Sequence, residues 1–341
     1  LKLLVSALEP SANLHLKEIL KRDVQKDISI SGIFDKSLGE PIYPSSQFSV
    51  MGIFSVIPKI LLAKKALKKM VEMAEKSHKI LLIDAPAFNI PLAKAIKERY
   101  PKKEIIYYIL PKVWAWKEGR KELINRYIDT QISIFPFENE YFPNSLYFGN
   151  PLYEEIKEFR DEVLNSGAVA FLPGSRKNEI KNLMPIFRSI VEKIEEEAIL
   201  VIPTYIENIS IYGDISQFTI SHSTEDTLLK SKFAYICSGT ATLEASLIGV
   251  PFALLYKTNP IEYFIAKKFV KIGYIGLANI IFDKLSIGEE FHSEYIQKFD
   301  IDRLIEEMRT IDKENFLRKS KKLRDLLKGD INNRIVEILI S

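Results

Sequence analysis

The sequence holds a single cysteine, Cys237, and it lies inside an apolar run. That excludes a disulfide framework within the chain and a cysteine-built metal site, and it fits a reducing compartment. The four histidines (His15, His78, His222 and His292) are scattered, with neither an HExxH nor an HxH spacing. No DxD-type pair stands near the candidate sites described below. Neither a metal nor a cofactor is therefore expected. Long apolar runs are also missing. The longest nearly uncharged stretch, Phe233–Tyr256, is interrupted by Ser238-Gly239-Thr240, Glu244, Gly249 and Pro251, so no transmembrane helix is expected. Lys2–Ala7 is too short for the apolar region of a signal peptide and continues as a strand. There is no short internal repeat and no low-complexity tract.

The 341 residues are 47% hydrophobic and 27% charged, the composition of a globular chain. The length suits two domains of ~150 residues each. The net charge is only +3, and no nucleic-acid partner is expected. The charge is unevenly placed. Lys59–Lys79 carries seven lysines against two glutamates, so the remainder of the chain is slightly acidic.

Apolar strands alternate with helical patterns. The run pattern predicts strands over 1–7, 28–34, 79–84, 104–110, 130–135 and 145–148, then over 168–172, 198–203, 218–220, 233–237 and 251–256. Between the two series, Gly149-Asn150-Pro151 is a strong breaker. This predicts an α/β fold of two parallel-sheet domains facing across a cleft. The expected boundaries are 1–150 and 151–315, with a helical tail over 316–341 that either packs back on the first domain or is swapped in a dimer. Residues 35–49 read as a loop, 91–100 and 260–272 as helices, and 274–280 as an apolar loop or strand.

The residues that could carry chemistry fall at strand-to-helix turns, the ligand side of an open α/β sheet. Glu9 and Ser11 follow the first strand, although Ser11 reads equally well as a helix N-cap. Asp84 ends the KILLID strand, where an apolar segment can fix a carboxylate at an edge; capping the next turn is its bland alternative. Pro173-Gly174-Ser175-Arg176 and Glu179 join a strand to a helix and offer free N–H groups beside a guanidinium, both suited to a diphosphate. Ser238-Gly239-Thr240 opens another helix in the same way. Glu244, one turn further on, could accept hydrogen bonds from ribose hydroxyls or could be a solvated helix charge. Trp114 and Trp116 share a loop with Lys112 and Lys117, where they could line a groove for a sugar or an acyl chain; core packing of one Trp is the alternative. Separately, Val50–Met70 has an uncharged front (Met51, Ile53, Phe54, Val56, Ile57) and a lysine-rich rear (Lys64, Lys65, Lys68). It reads either as a membrane-surface helix, in which each lysine near anionic lipid contributes ~1 kcal/mol, or as a core-packed helix with a wet basic side.

Five stretches together, YYILPKVWAWKEGR, LLIDAPAFN, LPGSRKNEI, SGTATLEASLIGVP and VMGIFSVIP, resemble the lipid-A-disaccharide synthase family. The resemblance runs from about Leu1 to Ile281 with the motifs in the family's order. It implies an inverting glycosyltransferase of two Rossmann-like domains, the GT-B architecture. The implied substrates are UDP-2,3-diacylglucosamine and 2,3-diacylglucosamine 1-phosphate, and the products are a β-1,6 disaccharide 1-phosphate and UDP. It further implies peripheral association with the cytoplasmic face of the inner membrane of a Gram-negative bacterium, and it allows a homodimer that exchanges C-terminal segments. In the same comparison Asp84 matches the catalytic aspartate, Arg176 the essential arginine and Glu244 the acidic residue of the donor motif. Glu9, Ser11, Asn89, Trp114 and Trp116 fall on the acceptor side; Gly174, Ser175, Glu179, Ser238, Gly239, Thr240 and Asn279 fall on the donor side. Four positions depart from the family's usual residues: Ala12 and Asn13 stand where the first turn has Gly and Asp, Ala87 replaces a second Asp, leaving Asp84 as that motif's only base, and Ala278 stands for the Pro of LPN in Leu277-Ala278-Asn279. A UDP-sugar 2-epimerase, another glycosyltransferase and a non-catalytic nucleotide-binding scaffold at a membrane surface are the competing readings.

Overall fold

The computed structural model describes residues 1–22, 28–48, 56–206, 208–259 and 273–341, with side chains of the helix that begins at Val56 described from Ile60 onward. The helix expected over 260–272 lies outside these residues, as do Met51, Ile53 and Phe54. The chain divides into two compact units, Leu1–Pro151 with Lys328–Ser341, and Leu152–Leu327.

The first unit is built on β1 (Lys2–Ala7), β2 (Ser29–Phe34), β3 (Tyr43–Pro44), β4 (Lys79–Ile83), β5 (Glu104–Tyr108), β6 (Thr130–Ser133) and β7 (Leu146–Tyr147). They form one sheet in the order β3-β2-β1-β4-β5-β6-β7. The neighbouring strands all pair in parallel. Strands such as Leu3–Ala7 and Ile80–Ile83 are buried on both faces, which is why they read as continuous apolar runs rather than alternations. One face packs on Ala66, Met70, Leu92 and Ile96, and the other on Leu16, Ile19, Ile331, Ile335 and Leu339.

The second unit holds β8 (Ala168–Leu172), β9 (Ala198–Val201), β10 (Thr219–Ser221), β11 (Ser231–Cys237), β12 (Phe252–Tyr256) and β13 (Ser293–Ile296), in the order β10-β9-β8-β11-β12-β13. These pairs are parallel too. Its helix Lys177–Val191 shows how the pattern works: Ile180, Leu183, Met184, Phe187 and Ile190 recur on one side and are buried, while charged residues take the other. In both sheets the strand order reverses once, between β1 and β4 and between β8 and β11. Helices leave to opposite faces at such a point, opening a crevice at the strands' carboxyl ends.

The tail expected as one segment over 316–341 is divided. Helix Lys313–Leu327 stays with the second unit, where Arg324 donates to Leu247 O at 2.7 Å and Ile248 O at 2.9 Å and so satisfies the end of helix Thr240–Ile248. Helix Ile331–Ile340 belongs to the first unit. The return passes so close to the exit that a Cβ on Gly329 would lie 1.8 Å from Phe148 O, and Asp330 N donates to that same oxygen at 3.0 Å. Only glycine fits there.

Several local expectations are corrected. β3 lies within the expected loop and β13 was not foreseen. Both are half-buried edge strands without an apolar run, formed because a neighbouring strand offers its edge. The third helix begins at Pro86, not Pro91. Proline at a helix start gives up an N–H that has no partner in any case. Residues Leu277–Lys284 are helical rather than extended.

Candidate active site

In the first unit, the two turns flanking the sheet's reversal follow β1 and β4. Asp84 and Ala85 both take left-handed backbone conformations, φ 49° and 44°, and Ile109 at the end of the adjacent β5 does the same at 65°. Such conformations cost non-glycine residues ~1–3 kcal/mol each and need support from their surroundings. The support is a set of buried hydrogen bonds. Asn89 Nδ2 donates to Asp84 O at 2.7 Å and to Ile83 O at 3.2 Å, and Asn89 Oδ1 accepts from Ser6 Oγ at 2.6 Å. Tyr107 OH donates to Asp84 O at 2.6 Å, and Asp84 N to Tyr108 O at 2.9 Å. The Asp84 carboxyl is thus held at the crevice by bonds to its backbone. Burial raises its pKa, opposed by the charges of Lys112 and His15.

Glu9 and Ser11 are exposed at the start of helix Pro10–Lys21. Asn13 is not exposed. Its Nδ2 donates to Ala7 O (3.0 Å) and Glu9 O (2.8 Å), while its Oδ1 accepts from Asp35 N (2.6 Å). A carboxylate at this position could not make the two donations, so Asn13 here ties together the ends of β1 and β2.

Two acceptor-side expectations are revised. Asn89 is fully buried and positions Asp84 instead of meeting a ligand. Trp114 is 4% exposed, packs edge-on against Phe135 and Phe137, and donates from Nε1 to the buried Glu138 at 3.2 Å. It is a core residue. Trp116, two positions on, is 47% exposed. His15 and Lys112, the charges facing Asp84, were not anticipated. His15 is one helical turn beyond Ser11, so a face-sharing spacing was there to be seen. Lys112 is adjacent only because β5 pairs with β4.

In the second unit the flanking turns follow β8 and β11. Gly174 has φ 89°, and a Cβ there would stand 2.5 Å from Glu179 Oε2. Glu179 reaches back to the start of its own helix: Oε2 accepts from Arg176 N at 3.2 Å and Oε1 from the Arg176 guanidinium at 3.0 Å. It therefore caps the helix and holds Arg176, which is a correction to its expected contact with the nucleotide. Arg176 itself is 83% exposed, and an ion pair at such exposure is worth ~0–1 kcal/mol, so an anion can displace it readily.

Across the reversal, Gly239 and Thr240 are exposed at the N-terminus of helix Thr240–Ile248, whose first turn carries no acidic residue and no capping bond from Gly239. Its leading N–H groups and the positive end of its dipole are arranged for an anion. Glu244 lies one turn in, with its pKa raised to about 7 by burial and by the charges of Glu225 and Glu155. Asn279 is removed from the donor-contact set. It is 1% exposed, and both faces of its amide are engaged: Nδ2 with His292 O and Glu294 Oε1, Oδ1 with the backbone N–H groups of Phe291 and His292. It joins helix Leu277–Lys284 to the segment entering β13. Among the described residues no group of three or more His, Cys, Asp or Glu is arranged for a metal ion.

Helix Val56–Ala74 buries Ala66, Met70 and Ala74 against the first sheet, the core-packed half of the expectation. Lys64, Lys65, Lys68 and Lys69 are exposed, and so are Ile60 (50%) and Leu61 (56%) near its start. No described helix is long and apolar enough to cross a membrane.

The fold is shared with Acinetobacter baumannii MurG (TM-score 0.59, 14% identity, 99% of this chain and 98% of that one) and with a UDP-N-acetylglucosamine 2-epimerase (TM-score 0.61, 14% identity, 99% and 95%). At these identities the likeness speaks to fold alone. Sequence relatives are much nearer. The lipid-A-disaccharide synthase of Campylobacter jejuni strain RM1221 is 45% identical over 98% of both chains, and that of Helicobacter pylori strain J99 is 40% identical over 98% of this chain and 97% of its own. The sequence profile described as lipid-A-disaccharide synthetase matches residues 3–336. With a whole-length profile match and relatives of this identity, the chain belongs to the lipid-A-disaccharide synthetase family, whose members are glycosyltransferases.

Proposed function

We propose that the chain transfers a 2,3-diacylglucosaminyl group from UDP-2,3-diacylglucosamine to the 6-hydroxyl of 2,3-diacylglucosamine 1-phosphate. The observation that carries this reading is the complementary chemistry at the two strand-order reversals. One presents a buried-backbone carboxylate of raised pKa, and the other an open helix N-terminus beside an exposed arginine. In this mechanism Asp84 accepts the proton of the acceptor's 6-hydroxyl as O6 attacks the donor's anomeric carbon. The bond from that carbon to the diphosphate breaks, UDP leaves with the electron pair, and the configuration inverts. General-base assistance of this kind contributes ~10²–10⁴-fold. Arg176, the Gly174–Ser175 backbone and Ser238–Thr240 meet the charge that develops on the diphosphate. Glu244 accepts from the ribose hydroxyls.

Both substrates carry acyl chains, so the protein works at a lipid surface. Exposed Ile60 and Leu61, with Lys64, Lys65 and Lys68 behind them, support peripheral docking on an anionic membrane, as the preceding apolar segment (Met51 to Ile57) does in sequence. A cytoplasmic location at the inner membrane and homodimer formation through the C-terminal helices complete the reading. Incubation with both substrates, followed by mass spectrometry, tests it: disaccharide 1-phosphate and UDP are expected in equal amounts, and UDP release without disaccharide would refute the transfer.

A further inference from the structure

The proposed diphosphate accounts for Arg176 in the second unit, but a separate pair of cations lies in the first, on the segment that carries Lys112. The segment that leaves β5 runs from Ile109 to helix Arg120–Tyr127. Val113, Trp114 and Ala115 anchor it from beneath by burial, and Ala115 N and Trp116 N both donate to Lys112 O, at 3.0 and 3.3 Å. Above this base Trp116 faces outward with two cations over its ring, Lys117 Nζ at 4.4 Å and Arg120 Cζ at 5.5 Å from the centroid. Lys117 takes a left-handed backbone (φ 53°), a strained state that puts its side chain over the indole. Arg120 N donates to Lys117 O at 3.1 Å, closing the turn.

Some lysines of this unit sit beside carboxylates, Lys79 by Glu104, Lys94 by Glu98 and Lys97 by Asp129, while among the described residues exposed Lys64, Lys65 and Lys68 do not. Among the described residues neither Lys117 nor Arg120 lies within salt-bridge distance of one. Their surroundings are nonetheless those of the base. The Arg120 charge acts on Tyr107, whose hydroxyl bonds the Asp84 carbonyl, and the Lys112 charge acts on Asp84 itself. Two preorganised cations on a fixed turn suit a dianionic phosphate monoester, which an Arg and a Lys grip with charge-assisted hydrogen bonds.

We propose that Lys117 and Arg120, held over Trp116, form the subsite for the phosphate monoester of the acceptor and so select acceptors phosphorylated at the 1-position. This rests on the transferase reading above. The same lipid-phosphate chemistry could come from a membrane headgroup, so the test separates the two sources. Turnover is measured in non-ionic micelles free of anionic lipid, with 2,3-diacylglucosamine 1-phosphate and with its unphosphorylated counterpart. For the Lys117→Ala/Arg120→Ala variant, kcat/KM on the phosphorylated acceptor should fall ~100-fold or more, as expected for the loss of charged hydrogen bonds. Turnover of the unphosphorylated acceptor should hardly change. Arg120→Lys should recover part of the loss, and unaltered UDP affinity confirms an intact second unit. Equal losses on both acceptors would overturn the subsite. So would unchanged kinetics accompanied by weaker binding to phosphatidylglycerol vesicles, which assigns the cations to headgroups. A wild-type chain that forms disaccharide equally well from both acceptors defeats the subsite alone. One inactive on both defeats the transferase reading and the subsite with it.

Discussion

The two units reverse their strand order in the same way, yet they finish the crevice differently. In the first, strain is carried by Asp84, Ala85 and Ile109, residues with side chains, and buried amides and hydroxyls from Ser6, Asn89 and Tyr107 hold it. In the second, the strained position is a glycine, and the functional groups are exposed: Arg176, Ser175, Gly239 and Thr240. The difference fits the chemistry proposed for each side. A general base acts at one atom and must be aimed within tenths of an ångström, so its backbone is locked. A diphosphate spreads its charge over several oxygens, and is met by N–H groups and a guanidinium that stay open until it arrives. On the proposed mechanism, one half is built for placement and the other for capture.

The sharpest break of this comparison is at Asp84. Asp84→Asn should lower disaccharide formation by ~10²–10⁴-fold while leaving UDP affinity, measured by calorimetry, nearly unchanged. A parallel loss of UDP binding would mean that the two halves are not separable. In the wild type the acid limb of the kcat/KM profile should lie above the ordinary aspartate value of 3.8, because burial raises the Asp84 pKa and activity is lost as the base protonates on falling pH. Next is Arg176→Ala, which should cost ~10²–10³-fold in kcat/KM and weaken donor binding; an unaltered donor KM together with an unaltered kcat would remove Arg176 from the chemistry. Freeing Glu179 should have little effect on stability, since the lost pair is exposed.

Asn89→Ala tests placement from behind. It strands the Ser6 hydroxyl and takes a donor from the carbonyl oxygens of Ile83 and Asp84, the latter keeping Tyr107 OH, at ~1–3 kcal/mol for a buried group left unpaired, so thermal melting should drop by several degrees and kcat should fall with it. Melting that drops while kcat holds would make the network structural only. The smallest effect concerns pH and stability. Glu138 in the first unit and Glu244 in the second are both raised from 4.5 to about 7. Between those values each glutamate binds more protons in the folded state than in the unfolded one and so lowers stability as pH rises from about 4.5 to about 7, a decline opposed in part by buried His292, whose pKa burial lowers from 6.5 to about 3. Glu244→Gln should make that decline shallower, leaving the share of Glu138 set against that of His292; denaturant melts across this range measure it.

The expected motifs were legible because each couples a strand end to a helix start, and both signals are local. The KILLI run sets β4, and the residue after it must turn; PGSR and SGT do the same after β8 and β11. What misled was side-chain type taken as evidence of exposure. Trp114 and Trp116 are two residues apart, and nothing local says that the first enters the core and bonds Glu138 while the second faces solvent. Asn89 and Asn279 looked like ligand amides, but each spends its hydrogen-bonding groups on backbone brought near from another segment.

The sequence by itself therefore determined the alternation of strands and helices, the break at Gly149–Pro151, the family, and the residues standing at each strand end. These depend on period, turn chemistry and covalent neighbours, all of which act over a few residues. Tertiary structure alone decided the strand order that makes β1/β4 and β8/β11 the crevices. It also divided the tail between the units, keeping helix Lys313–Leu327 with the second, and set Lys112 and His15 against Asp84. Those outcomes depend on which edges pair and which faces bury one another, energies shared between residues far apart in the chain.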